Sequence, residues 1–308
     1  MSRSGGATTR TWWFVVLAVL VVADVALIVA AVASTRPGEQ REAGPIPTFS
    51  SGPPPEEQQT STPTASPTTS PTSTEPSGFL SVVSATEAWR ATPGSCTDVA
   101  ARLERSIDGG ATWSAVEVSF DVRTVVALEA GSQRVSVLGG VGAACDRQFW
   151  ASFTGGEFWK EYPAEAGSLG FTDVDGSTVT LRSGTVPSPC ASPIRVVSSD
   201  GGDAVACEGL VTFRDAAGTW TPLDMPGVTD VTVSDDRYLI ARSGADDCAG
   251  LAVQSVSIPV TSRSFASPLG CIPDIDPAGN VSLSSSGQVV WADAGSQTLV
   301  STDGGATW

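Results

Sequence analysis

The sequence predicts an all-β fold, a β-propeller of about five four-stranded repeats, preceded by one transmembrane helix and a disordered linker. Three observations carry this expectation. An apolar run stands near the N-terminus, a stretch rich in Pro, Thr and Ser follows it, and the remainder repeats a short pattern of alternating polarity. The implied segments are a short cytoplasmic tail over 1–11, a transmembrane signal-anchor helix over 12–34, a linker over 35–78, and the propeller over 79–308.

Trp12 to Ala33 reads WWFVVLAVLVVADVALIVAAVA, and at ~1.5 Å per residue these positions span roughly 33 Å, close to the hydrocarbon thickness of a bilayer. Arg3 and Arg10 precede the run with no acidic residue beside them, which keeps the N-terminus inside and exports the rest. Trp12 and Trp13 fall where an interfacial aromatic belt would lie. Ala31-Val32-Ala33 also resembles a signal-peptidase site, so a cleaved signal peptide is the competing reading; the apolar run is longer than such peptides use. Asp24 interrupts the run at a cost of about 2.5–3.5 kcal/mol, which the neighbouring apolar residues can offset. It is either a polar contact for another membrane helix or a tolerated lone carboxyl.

The linker holds ten of the 21 prolines and almost no apolar side chains. Such a segment cannot bury enough surface to offset its chain entropy, so it reads as an extended tether. Its Ser/Thr–Pro composition also fits O-glycosylation, with a plain spacer as the simpler reading.

Composition narrows the function classes. The formal charge is -16 and Lys160 is the only lysine, so no basic patch is available for phosphates and nucleic-acid binding is excluded. Histidine is absent, which removes the commonest general base and metal ligand. Cys96, Cys145, Cys190, Cys207, Cys248 and Cys271 contain no C-x-x-C pair, and their even number downstream of the apolar run reads as disulfides in an oxidising compartment. No cofactor and no metal are expected. The turns Asp173-Val174-Asp175-Gly176 and Asp274-Ile275-Asp276 could be considered for calcium, but neither has the twelve-residue loop closed by a Glu.

The repeat over 79–308 is carried by five strand–turn–strand segments: LSVVSATEAWRA (80–91), TVVALEAGSQRVSVLGG (124–140), FTDVDGSTVTLRSG (171–184), VTDVTVSDDRYLIARSG (228–244) and PDIDPAGNVSLSSSG (273–287). Alternation such as Val231-Thr232-Val233 has the period of a strand, and the turns use Gly, Asp or Asn. About 46 residues per unit suits a four-stranded blade better than a helical solenoid. Two octets recur within these units, SIDGGATW (Ser106–Trp113) and STDGGATW (Ser301–Trp308), with decayed copies SFTGGEFW (152–159) and FRDAAGTW (213–220) between them.

The two close octets resemble the Asp-box, or BNR, motif S-x-D-x-G-x-T-W, at Ser106, Asp108, Gly110, Thr112 and Trp113 and at Ser301, Asp303, Gly305, Thr307 and Trp308. The resemblance implies a sialidase-like propeller in which each box is a hairpin turn between the third and fourth strands. The Asp is held by its own turn's N–H groups, and the box lies on the face away from the ligand site. Asp108 and Asp303 are then structural residues. Families sharing the motif include sialidases, other glycoside hydrolases, photosystem assembly factors and sorting receptors, so function is only weakly constrained.

A sialidase reading fails at several positions. The Arg-Ile-Pro start is missing, and Arg90, in AWRATPG, is the only arginine between the linker and Cys96. Of the two tyrosines, Tyr162 would lie on an outer fourth strand, which leaves Tyr238, on a second strand beside Arg237, as the weak catalytic candidate. The expected activity is therefore non-catalytic recognition of a protein or glycan at the cell membrane, with a degenerate sialidase-like hydrolase as the alternative. Cys96, Cys145, Cys190 and Cys248 each follow the second strand of a unit. This position predicts Cys96–Cys145, Cys190–Cys207 and Cys248–Cys271, gathered on the face opposite the octets. The fifth unit stops at Trp308, where its fourth strand would begin, which leaves either an imperfect ring or a chain lacking its C-terminal end.

Overall fold

The computed structural model describes residues 78–200, 202–275, 280–294 and 297–308. The cytoplasmic tail, anchor and linker expected over 1–11, 12–34 and 35–78 lie outside them, apart from Gly78. Among the described residues no helix is long and apolar enough to cross a membrane.

The described chain is all-β and forms a six-bladed propeller. Blade 1 comprises β1 (Phe79–Val82), β2 (Ala88–Thr92), β3 (Arg102–Ser106) and β4 (Ser114–Ala115). Blade 2 comprises β5 (Val122–Ala130), β6 (Val135–Val141), β7 (Asp146–Ser152) and β8 (Lys160–Glu161). Blade 3 has three strands, β9 (Phe171–Thr172), β10 (Thr178–Leu181) and β11 (Gly184–Pro187). Blade 4 comprises β12 (Pro193–Ser199), β13 (Gly202–Cys207), β14 (Leu210–Arg214) and β15 (Trp220–Asp224). Blade 5 comprises β16 (Val228–Ser234), β17 (Arg237–Arg242), β18 (Leu251–Ser257) and β19 (Ser267–Ile272). Blade 6 has β20 (Val281–Ser286), β21 (Val289–Ala294) and β22 (Gln297–Ser301). All pairings are antiparallel.

Six blades replace the five expected from the sequence. The segment 171–184 and the copy at 213–220 belong to different blades: the first forms β9 and β10, the second joins β14 to β15. Blade 6 carries its octet after its third strand, whereas the third strand of blade 3 ends at Pro187 on the opposite face and is followed by Ser188-Pro189-Cys190, so blade 3 carries no octet. The five-unit expectation counts its hairpin and the octet of blade 4 as one unit.

The core is a set of apolar layers between neighbouring blades rather than one centre. Trp89 and Leu103 of blade 1 meet Val122 and Val137 of blade 2, and Leu138 and Phe149 meet Leu169 and Phe171 of blade 3. Val179 and Leu181 pack on Val196 and Val205 of blade 4. Phe213 packs with Val231 and Ile240 of blade 5, and Leu239 and Leu251 with Leu283 and Val290 of blade 6. The sixth layer closes the ring: Leu80, Val82 and Ala88 of blade 1 bury Trp291 of blade 6. Alternation on each strand feeds both layers beside its blade, which is why these strands have two apolar faces.

Polar contacts finish the closure between blades 6 and 1. The Trp291 indole donates to the Ser84 carbonyl (3.0 Å), and the Trp113 indole donates to Thr298 Oγ1 (3.2 Å). Arg90 lies 4.3 Å above the Trp113 ring and pairs with Glu104 (2.8 Å) and Asp293 (3.4 Å).

Candidate functional site

Strand direction divides the propeller into two faces. In blades 1, 2, 4, 5 and 6 the innermost strand ends at a hairpin on the face that carries the octets. The opposite face carries the loops between second and third strands, and all six cysteines lie there. Cys96–Cys145 joins the loops of blades 1 and 2, Cys190–Cys207 ties the approach to blade 4, and Cys248–Cys271 closes blade 5. These are the expected pairs, although Cys190 follows the third strand of blade 3 rather than a second strand.

Blade 3 is reversed. β8 stops after two residues, and a 3-10 turn at Pro163–Glu165 stays on the octet face, where Glu165 pairs with Arg134. Gly170 then packs against Ser198, at the octet end of β12, whereas Gly176 packs against Pro193 at its other end. β9 therefore runs toward the disulfide face, and three strands return the chain there for β12. The tip of the β9–β10 hairpin, Asp173–Ser177, is consequently the one inner hairpin tip of the six on the disulfide face. Arg147 of blade 2 holds it, with Nη2 3.3 Å from Asp173 Oδ1 and its guanidinium 4.7 Å from the Phe171 ring.

The innermost strands enclose a central cavity of about 810 Å³. Near its disulfide-face mouth stands a buried ion pair, Arg195 Nε to Asp230 Oδ1 at 2.8 Å. β12 and β16 are each irregular at the residue concerned, between Pro193 and Arg195 and between Val228 and Asp230. Such bulges re-aim a side chain, here into the cavity wall. Asp230 also accepts from Val231 N (2.8 Å) and Leu283 N (2.7 Å). Arg195 donates a further bond to the Gly78 carbonyl (2.6 Å) and lies 4.6 Å above the Phe79 ring. Burial pushes the Asp230 carboxyl up, opposed by Arg195 and the two N–H donors. This pair joins blades 4, 5, 6 and 1 and leaves neither partner free for acid–base work.

Each octet is a closed hydrogen-bonded turn. Asp108 Oδ1 accepts from Ser106 Oγ and Thr112 N, both at 2.9 Å, and Oδ2 from Thr112 Oγ1 at 2.6 Å. Gly110 N donates to Ser106 Oγ, and a Cβ at Gly110 (φ +84°) would stand 2.6 Å from Thr298 Cγ2. Asp303 repeats the pattern with Ser301 (2.7 Å), Thr307 N (2.9 Å) and Thr307 Oγ1 (2.6 Å), while the Trp308 indole donates to the Gly305 carbonyl (2.9 Å). The Thr donors hold both carboxyls below their ordinary value of 3.8.

Tyr238 is not part of the cavity lining. Its ring lies in the layer between blades 4 and 5, 4.7 Å from Phe213, and its hydroxyl donates to the Asp203 carbonyl at 3.2 Å. Burial, with the Asp203 charge second, pushes the phenol up to about 12. Among the described residues no His, Cys, Asp or Glu cluster is arranged to hold a metal ion.

Sequence reasoning passed over Arg195, Asp230 and Arg147. A charged residue inside an otherwise apolar strand, as in PIRVV or VTDVTV, was the available signal.

No protein-family model matches the sequence, and no curated protein matches it. Several solved structures are similar in part. YCF48 bound to a D1 peptide is 14% identical, with a TM-score of 0.39, over 76% of this chain and 80% of that one. The Bacteroides ovatus GH43B of a xyloglucan locus is 12% identical, with a TM-score of 0.39, over 71% of this chain and 47% of that one, so the match spans just under half of that protein. The Neurospora crassa Pan2 WD40 domain is 11% identical, with a TM-score of 0.36, over 71% of this chain and 73% of that one.

Proposed function

We propose that this chain is a membrane-tethered, extracytoplasmic β-propeller of the Asp-box kind that recognises a protein or glycan without catalysis. One observation carries the reading: the disulfide face holds an open cavity mouth whose inner ionisable pair, Arg195–Asp230, is fully engaged in closing the ring. A rigid frame with short loops around such a mouth suits binding. The apolar run from Trp12 to Ala33 and the six cysteines support export on a retained anchor.

The test pairs a panel of fluorogenic glycosides with a glycan array, both applied to the purified chain. Retention of a specific glycan or protein without turnover supports recognition. Turnover of any glycoside that tracks with the intact protein would replace it with the hydrolase. For the anchor, protease added to intact, wall-stripped cells should remove the propeller and spare the N-terminus. A soluble mature form beginning at Ser34 would contradict it.

A further inference from the structure

The mouth on the disulfide face combines bare apolar surface with unneutralised acid. Val174, at the tip of the reversed blade 3 hairpin, is 94% exposed, and Ile194 of β12 is 39% exposed; both line the cavity. An exposed Val on a rigid tip has no role in packing the fold. The tip is held from beneath, by Arg147 on Asp173 and by the Ser177 N–H bond to Asp175 Oδ1 (2.9 Å), so it is a formed surface.

Around these two residues the charges do not cancel. Arg147 is engaged by Asp173, and Arg195 by Asp230. Asp146 and Asp175 are exposed, and neither forms an ion pair among the described residues. The chain's net charge of -16 adds a long-range field of the same sign.

Resting on the recognition reading, we propose that this mouth binds a cationic extended peptide. An apolar side chain of the peptide seats on Val174 and Ile194, and a neighbouring lysine or arginine faces Asp146 and Asp175. Complementary charge sets partner sign and association rate, and the apolar contact sets residence.

The test uses the full chain in detergent micelles and fluorescein-labelled dodecapeptides of alternating Lys and Val, Lys and Ser, or Glu and Val, read by polarisation. The Lys/Val peptide should bind best, and more weakly as salt is raised. Val174→Ser should weaken it about tenfold, the worth of one buried Val. Asp175→Asn should weaken it about threefold. Asp235→Asn with Asp236→Asn, on the octet face, should leave it unchanged. Both tip substitutions are at exposed positions, so folding is preserved. Equal losses in the octet-face variant would mean adventitious charge attraction and overturn the proposal, as would preference for the Glu/Val peptide or binding of none. A glycan retained by the parent and lost in Val174→Ser, with no peptide bound, would refute the peptide while leaving recognition standing. Glycoside turnover would remove both.

Discussion

At the residue scale, the Arg195–Asp230 pair is the most consequential contact, because it is buried and reaches four blades. Removing one partner strands the other charge, which costs about 3–5 kcal/mol in buried pairs. Arg195→Met should therefore lower unfolding stability in urea by about that amount, and adding Asp230→Asn should restore part of it. A loss no greater than that of Arg263→Met, at an exposed loop residue, would contradict the clasp. The octet carboxyls give a pH signature of known sign. Their folded values are lowered, so their contribution is present above the unfolded value and lost as pH falls through the folded one. The difference in melting temperature between the parent and Asp303→Asn should be full near neutrality and should shrink as the medium is acidified below about pH 4. A difference that is constant or grows on acidification would show that Asp303 is not held this way.

At the scale of elements, what was legible in the sequence was what is local. The octets are legible because Asp108 and Thr112 meet within one turn. The cysteine pairs are legible because Cys96, Cys145 and Cys248 follow second strands that can be counted, while Cys190 and Cys207 are only 17 residues apart. Blade 3 was not legible as a blade, since β9 is only two residues long and no octet follows its third strand. Its reversal depends on β8 ending early; Pro163 signals the break, but nothing local signals that the next strand runs the opposite way. Arg195 and Asp230 stand 35 residues apart; each is a charge in a largely apolar strand, but nothing in the sequence pairs them, and two bulges bring them together. The Cys96–Cys145 bond, with a separation of 49 residues, joins the loops of blades 1 and 2. Replacing both cysteines by Ser should cost about 3–4 kcal/mol by the chain-entropy model. Amide exchange should then quicken most in 93–101 and 142–147; uniform acceleration across all six blades would contradict a local tie.

At the scale of the whole molecule, a ring of six apolar layers needs no shared strand to close. Blades 1 and 6 meet through Trp291, Trp113 and Arg90, and the clasp at Gly78 fixes the start of β1 to the same seam. Tyr238 belongs to the frame of this ring, and the proposed recognition function needs no catalysis through it. Gly202 (φ +143°) supports that assignment, since a Cβ there would stand 2.1 Å from the Tyr238 hydroxyl oxygen. The most direct test is turnover of a fluorogenic sialoside by the purified chain and by Tyr238→Phe. The account predicts no turnover by either protein, with the variant less stable by about 0.5–1.5 kcal/mol for the lost hydrogen bond. Turnover by the parent that is abolished in Tyr238→Phe, with the fold intact by circular dichroism, would contradict it.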